Sequence, residues 1–147
     1  MRIEDLRIGN YVDVVLKENN TPIRCEVIRI DHEAISADFK NIADNSVFPV
    51  DTKEKWALVK EVATTGNELK NLGFTYDPGL YLDMFSIKGA WFFHEAIVGK
   101  HCDHYELFIE EDAVLHIYKG ITVPSIHLLQ NAVADNYGYI LIRRSSK

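Results

Sequence analysis

Tyr11-Val12-Asp13-Val14-Val15-Leu16-Lys17-Glu18-Asn19-Asn20-Thr21-Pro22-Ile23-Arg24-Cys25-Glu26-Val27-Ile28-Arg29-Ile30 decides how the chain begins to fold. Tyr11 to Lys17 alternates, with Val12, Val14 and Leu16 on one side, the period of a half-buried strand. Glu18 to Pro22 is turn chemistry, because amides tolerate left-handed backbone and proline fixes φ. A second strand follows over Ile23–Ile30, with Ile23, Cys25 and Val27 inward and Arg24, Glu26 and Ile28 outward. Asp31-His32-Glu33 reads as a tight turn into a third strand, Ala34 to Phe39. Val47–Val50 and Trp56–Val62 are two more apolar segments. Asp51-x-x-Glu54 also has the spacing that caps a short helix through Val59, so residues 51–62 read as strand or helix, with strand preferred over Leu58–Val62. Five short strands with Gly9 ahead of the first predict a small SH3-like β-barrel over residues 1–62.

The second half, residues 63–147, opens differently. Thr65-Gly66-Asn67-Glu68 is a capping box for a two-turn helix with Leu69 and Leu72 inward and Gly73 as its left-handed stop. Leu80–Ile87 and Ala90–Val98 flank the turn Lys88-Gly89, and Tyr105–Glu110 and Val114–Tyr118 flank Glu111-Asp112-Ala113. Pro124 suits the first turn of a helix, where a missing N–H costs nothing. Ile126, Leu129, Val133 and Tyr137 then form one buried stripe ending at Gly138, and Tyr139–Ile142 can add a last strand. The expectation is an α+β protein: an SH3-like barrel followed by a four-stranded antiparallel β-meander covered by a C-terminal helix.

Three segments carry a resemblance: Leu6-Arg7-Ile8-Gly9-Asn10, Leu72-Gly73-Phe74, and His127-Leu128-Leu129-Gln130-Asn131 with Gly138 behind. In order and rough spacing they resemble an uncharacterised family of small proteins from Bacteroidetes and their phages or mobile elements. That family often has Trp where Leu69 stands and aromatics where Val133 and Ala134 stand. The resemblance implies a two-part layout and a bacterial cytosolic or phage origin, and it implies no reaction.

Composition bounds the function classes. The chain has 147 residues, 47% of them hydrophobic and 26% charged, which excludes a disordered polymer. Sixteen basic against 22 acidic residues give a net charge of −6, the wrong sign for binding DNA by bulk charge. Cys25 and Cys102 follow no CxxC spacing and make no disulfide framework, so two reduced thiols in a cytoplasmic protein are expected. Residues 1–10 lack the apolar run of a secretory signal, and no run approaches the ~20 residues a membrane helix needs.

Four constellations remain. His101-Cys102-Asp103-His104, with His94 and Glu95 one strand away, offers the ligand types zinc takes, in a spacing that fits no standard finger. His127, Gln130 and Asn131 lie at i, i+3 and i+4 on the last helix, either as a recognition surface or as bonds that lock the helix. Tyr11, Phe39, Phe48 and Trp56 read as core, or as an aromatic cage for a methylated lysine. Trp91-Phe92-Phe93 puts aromatics on both faces of one strand, which suggests a covered strand or a partner surface. No Gly-rich phosphate loop, GxSxG or HExxH occurs. The leading expectation is a non-enzymatic accessory protein that binds another protein. The alternatives are a metal-binding protein or metal-dependent enzyme using His94, His101, Cys102 and His104, and a nucleic-acid accessory protein if Arg2, Arg7, Arg24 and Arg29 gather on one side.

Overall fold

The computed structural model describes residues 2–16, 18, 20–78, 82–87, 96–101, 103–112, 114–115 and 117–144. The chain divides into two compact units, residues 1–62 and 63–147.

In the first unit the alternation of Val12 and Val14 builds β1 (Tyr11–Val15), which pairs antiparallel with β2 (Pro22–Asp31), Val12 facing Cys25 and Val14 facing Ile23. Next come β3 (Ser36–Asn41), β4 (Val47–Val50) and β5 (Val59–Lys60), giving the antiparallel order β4-β3-β2-β1-β5. No ladder joins β4 to β5 among the described residues, so the sheet is open rather than a closed barrel. One face buries Val12, Val14, Cys25, Val27, Ala37, Phe39, Val50 and Val59, with Leu6 from the N-terminal segment. The register shifts between Val27, opposite Phe39, and Arg29, opposite Asp38, so Ile28 is an extra residue. A bulge of this kind reverses the inward–outward phase. Ile30 rather than Arg29 therefore packs on the core, and Arg29 turns outward to Asp38.

Residues 51–62 hold a helix and a strand in succession. Thr52 caps α1 (Lys53–Trp56), its Oγ1 accepting from the Lys55 N–H at 3.2 Å, while Asp51 instead takes the Lys55 ammonium at 3.3 Å. β5 follows after two residues and is only two residues long.

The second unit is a five-stranded antiparallel meander of order β10-β9-β8-β7-β6. Its strands are β6 (Thr75–Pro78), β7 (Asp83–Ile87), β8 (Ala96–His101), β9 (His104–Asp112) and β10 (Ile117–Thr122). The expected four strands are thus five. β6 was not anticipated because every residue in it is exposed, and an exposed edge strand carries no hydrophobic alternation. The expected strand over Val114–Tyr118 starts later. The Asp112 carboxylate accepts from the Val114 and Leu115 N–H groups at 2.9 and 3.0 Å, which makes those apolar residues a turn. Lys88-Gly89 and Trp91-Phe92-Phe93 lie outside the described residues.

Thr65 caps α2 (Gly66–Asn71), its Oγ1 accepting from the Glu68 N–H at 3.2 Å, and Gly73 stops the turn at φ +98°. The Glu68 carboxylate is met by Arg143 at 3.2 Å. α3 (Ile126–Tyr137) ends on Gly138 in the left-handed conformation and packs against β9. Opposite residues Val98 and Leu107 of the sheet are fully buried, as are Ile126, Leu129 and Val133 of the helix. Tyr139–Ile142 does not become a strand. It runs as an extended strap, with Leu141 buried, its carbonyl accepting from Gln130 Nε2 at 3.2 Å, and the Arg144 N–H bonded to the Asn71 carbonyl at 2.7 Å. No helix among the described residues is long and apolar enough to cross a membrane.

Candidate functional site

His101 and His104 face each other as the last register pair of β8 and β9, and their rings stack with centroids 5.2 Å apart. Both close on one carboxylate that sequence spacing did not single out, Glu106, two residues along the same strand face. His104 Nε2 lies 3.3 Å from Glu106 Oε1, and His104 Nδ1 lies 3.1 Å from Asp103 Oδ1. The hydrogen bond to Asp103 raises the His104 pKa above its ordinary value, and Glu106 adds to the effect. His101 Nε2 sits 3.0 Å from Glu106 Oε2 but out of line for a hydrogen bond. Among the described residues no three His, Cys, Asp or Glu side chains are disposed to hold a metal ion. The other two expected ligands, His94 and Cys102, lie outside the described residues.

His127, Gln130 and Asn131 are not a surface. Their exposures are 1%, 5% and 9%, and a partner cannot reach them. Ser125 Oγ lies 3.2 Å from His127 Nδ1, and Gln130 holds the strap at Leu141. The helix is buried this widely because the sheet covers its apolar stripe while the strap covers Gln130. The 100° spacing of residues gives angles around a helix but not how many neighbours surround it.

The aromatic cage is likewise excluded. Phe39 is fully buried, Tyr11 is 6% exposed, and Trp56 meets Phe39 edge-on at 5.8 Å. These rings are packing partners and leave no open box for an ammonium. The arginines of the nucleic-acid reading are engaged locally. Arg24 pairs with Asp13 at 2.7 Å, Arg29 with Asp38 at 2.8 Å, and Arg2 with Glu4 at 3.8 Å.

A different place in the first unit does form a groove. A groove of about 550 Å³ is lined by Ile3, Ala34, Ile35, Asp51, Thr52, Lys53, Trp56 and Val59. Four segments meet there: a 3-10 turn (Ile3–Asp5), the β2–β3 turn, α1 with the residues that precede it, and β5. Asp31 shapes the β2–β3 turn by accepting from the Glu33 and Ala34 N–H groups, each at 3.1 Å. Ile35 then adopts φ +52°, a region that β-branched residues avoid. Its carbonyl is held by the Trp56 indole N–H at 2.8 Å, and its side chain is 54% exposed beside the groove. The tryptophan thus shares three tasks: it packs on Phe39, fixes the strained turn and lines the groove.

No sequence reading singled out Ile35. The available signal was an apolar residue directly after the polar turn Asp31-His32-Glu33, where a solvated side chain is the rule. Compared with protein-family models, curated proteins and solved structures, the chain matches none.

Proposed function

We propose that the chain is a non-enzymatic protein-binding module whose docking site is the groove beside Ile35 and Trp56. The first unit is read as an SH3-like barrel left open at one side. A ten-residue β2 bent by its bulge, and a one-turn helix ahead of a very short last strand, support that reading. The observation that carries the function is Ile35. Backbone strain costs of order 1–3 kcal/mol and persists where the surroundings over-determine it, typically at binding sites. Here the strain and the Trp56 bond hold an isoleucine against water, which packing alone does not reward.

The lining also favours binding over chemistry. It holds two charged side chains, Asp51 and Lys53, and Asp51 is already engaged by Lys55. Selection of a random-peptide library on the purified chain tests the proposal. Bound peptides are expected to lose binding to Ile35→Asp, with thermal melting of the variant close to that of the parent. A library that yields no Ile35-dependent peptide rejects the groove as the docking site.

A further inference from the structure

Charge sorts unevenly over the first unit. Segments 2–5, 31–35 and 51–56, which supply every groove-lining residue except Val59, carry six carboxylates and three bases. The remainder of residues 1–62 carries six carboxylates and six bases. The net −3 of the unit therefore resides wholly in the segments around the groove. Away from the groove, bases and acids meet each other: Arg24 with Asp13, Arg29 with Asp38, and Lys40 with Glu26 at 3.6 Å. Around it Arg2 and Lys55 are engaged by Glu4 and Asp51, while Glu33 on the turn and Lys53 and Glu54 on α1 stand exposed.

We infer that the groove takes a short peptide segment of a partner protein in which an apolar side chain is flanked by Lys or Arg. The inference rests on the docking reading above and adds the chemistry of the partner. The apolar walls of Ile3, Ala34, Ile35, Trp56 and Val59 receive the apolar anchor, and the exposed carboxylates of Glu33 and Glu54 on the flanking turn and helix receive the flanking cations. A rim of net negative charge around a low-dielectric groove attracts the opposite charge and speeds encounter. The same rim repels phosphate, so a nucleic-acid backbone is the wrong occupant.

The experiment reads the composition and salt response of the Ile35-dependent peptides selected above. Lys or Arg within two or three positions of an apolar residue is expected. Their affinity, measured by fluorescence anisotropy, should fall about 10-fold between 0.1 and 0.5 M NaCl, because rim charges are screened over a Debye length of ~10 Å at the lower salt. The double variant Glu33→Lys/Glu54→Lys should weaken binding by about 10-fold while its melting stays that of the parent, since both side chains are exposed. Ile35-dependent peptides that are neutral or acidic, or whose binding ignores salt and the double variant, overturn this inference and leave the groove standing. Absence of any Ile35-dependent peptide overturns both.

Discussion

Ile35 is held at φ +52° by its neighbours against its own preference. A left-handed conformation costs a residue with a Cβ roughly 1–2 kcal/mol, and glycine escapes that cost. Ile35→Ala keeps the strain and Ile35→Gly relieves it, so the Gly variant is expected to be more stable by about 1 kcal/mol, less glycine's own entropy cost. Urea unfolding of the two variants compares them directly, and an Ala variant as stable as the Gly variant would show that the turn relaxes. In the second unit, His104 carries a raised pKa because it is bonded to Asp103 and faces Glu106. The sign follows from linkage. With the folded pKa above the ordinary 6.5, the stabilising interaction is complete below that pH and is lost as pH rises through the folded value. An NMR titration of the imidazole should give a midpoint above 6.5, and Asp103→Asn should bring it down. Cys25 behaves oppositely to a reactive thiol. Burial foremost, with Asp13 nearby, pushes its pKa up to about 11, so alkylation at pH 8 is expected only after unfolding.

Among the elements, α3 shows what burial adds to periodicity. Leu129→Ala empties a fully buried site and should cost roughly 2–5 kcal/mol. The position of His127 well around the helix from Leu129 suggests a cheap substitution, yet the structure encloses it beside Ser125. His127→Ala should therefore cost about 2–4 kcal/mol, from the cavity and the orphaned Ser125 hydroxyl together. Thermal melts of the two variants falling within about 2 kcal/mol of each other would bear this out, and an unperturbed His127→Ala protein would refute it. The elements legible in the sequence were those whose signals are local. The alternation of Val12, Val14, Cys25 and Val27, the Thr65 cap, and the glycine stops at Gly73 and Gly138 all stand where the residues put them. What escaped reading was set from a distance. The bulge at Ile28 is visible only against β3, the strap at Leu141 only against Gln130, and the bend at Ile35 only against Trp56. The groove depends on that last contact, so none of the candidate site could be read from residue order. The resemblance segments prove to be fold-making: Leu6, Asn10, Leu72, Phe74, His127 and Asn131 are all buried.

At the scale of the whole molecule, the chain divides into two compact units that hold different features. The apolar groove and its acidic rim belong entirely to residues 1–62, and the stacked histidines and α3 belong to residues 63–147. A unit of about 60 residues buries a smaller fraction of its surface than a longer chain and is marginal in stability. The nine-residue cluster from Leu6 to Val59 is nonetheless a contiguous core of its own. Each unit is therefore expected to unfold as its own cooperative transition, and a chain with one buried thiol in the first unit lets this be read out. Leu129→Ala weakens the second unit alone. In moderate urea, where the far-UV signal of that variant shows α3 lost, Cys25 should alkylate no faster than in the parent, because its protection depends on Val12, Val27 and Phe39 rather than on the helix. The modified site is assigned by peptide mass, which separates Cys25 from Cys102. Cys25 labelling that accelerates together with the loss of α3 would show instead that the two cores unfold as one, and the groove proposed for docking would then depend on the integrity of the meander.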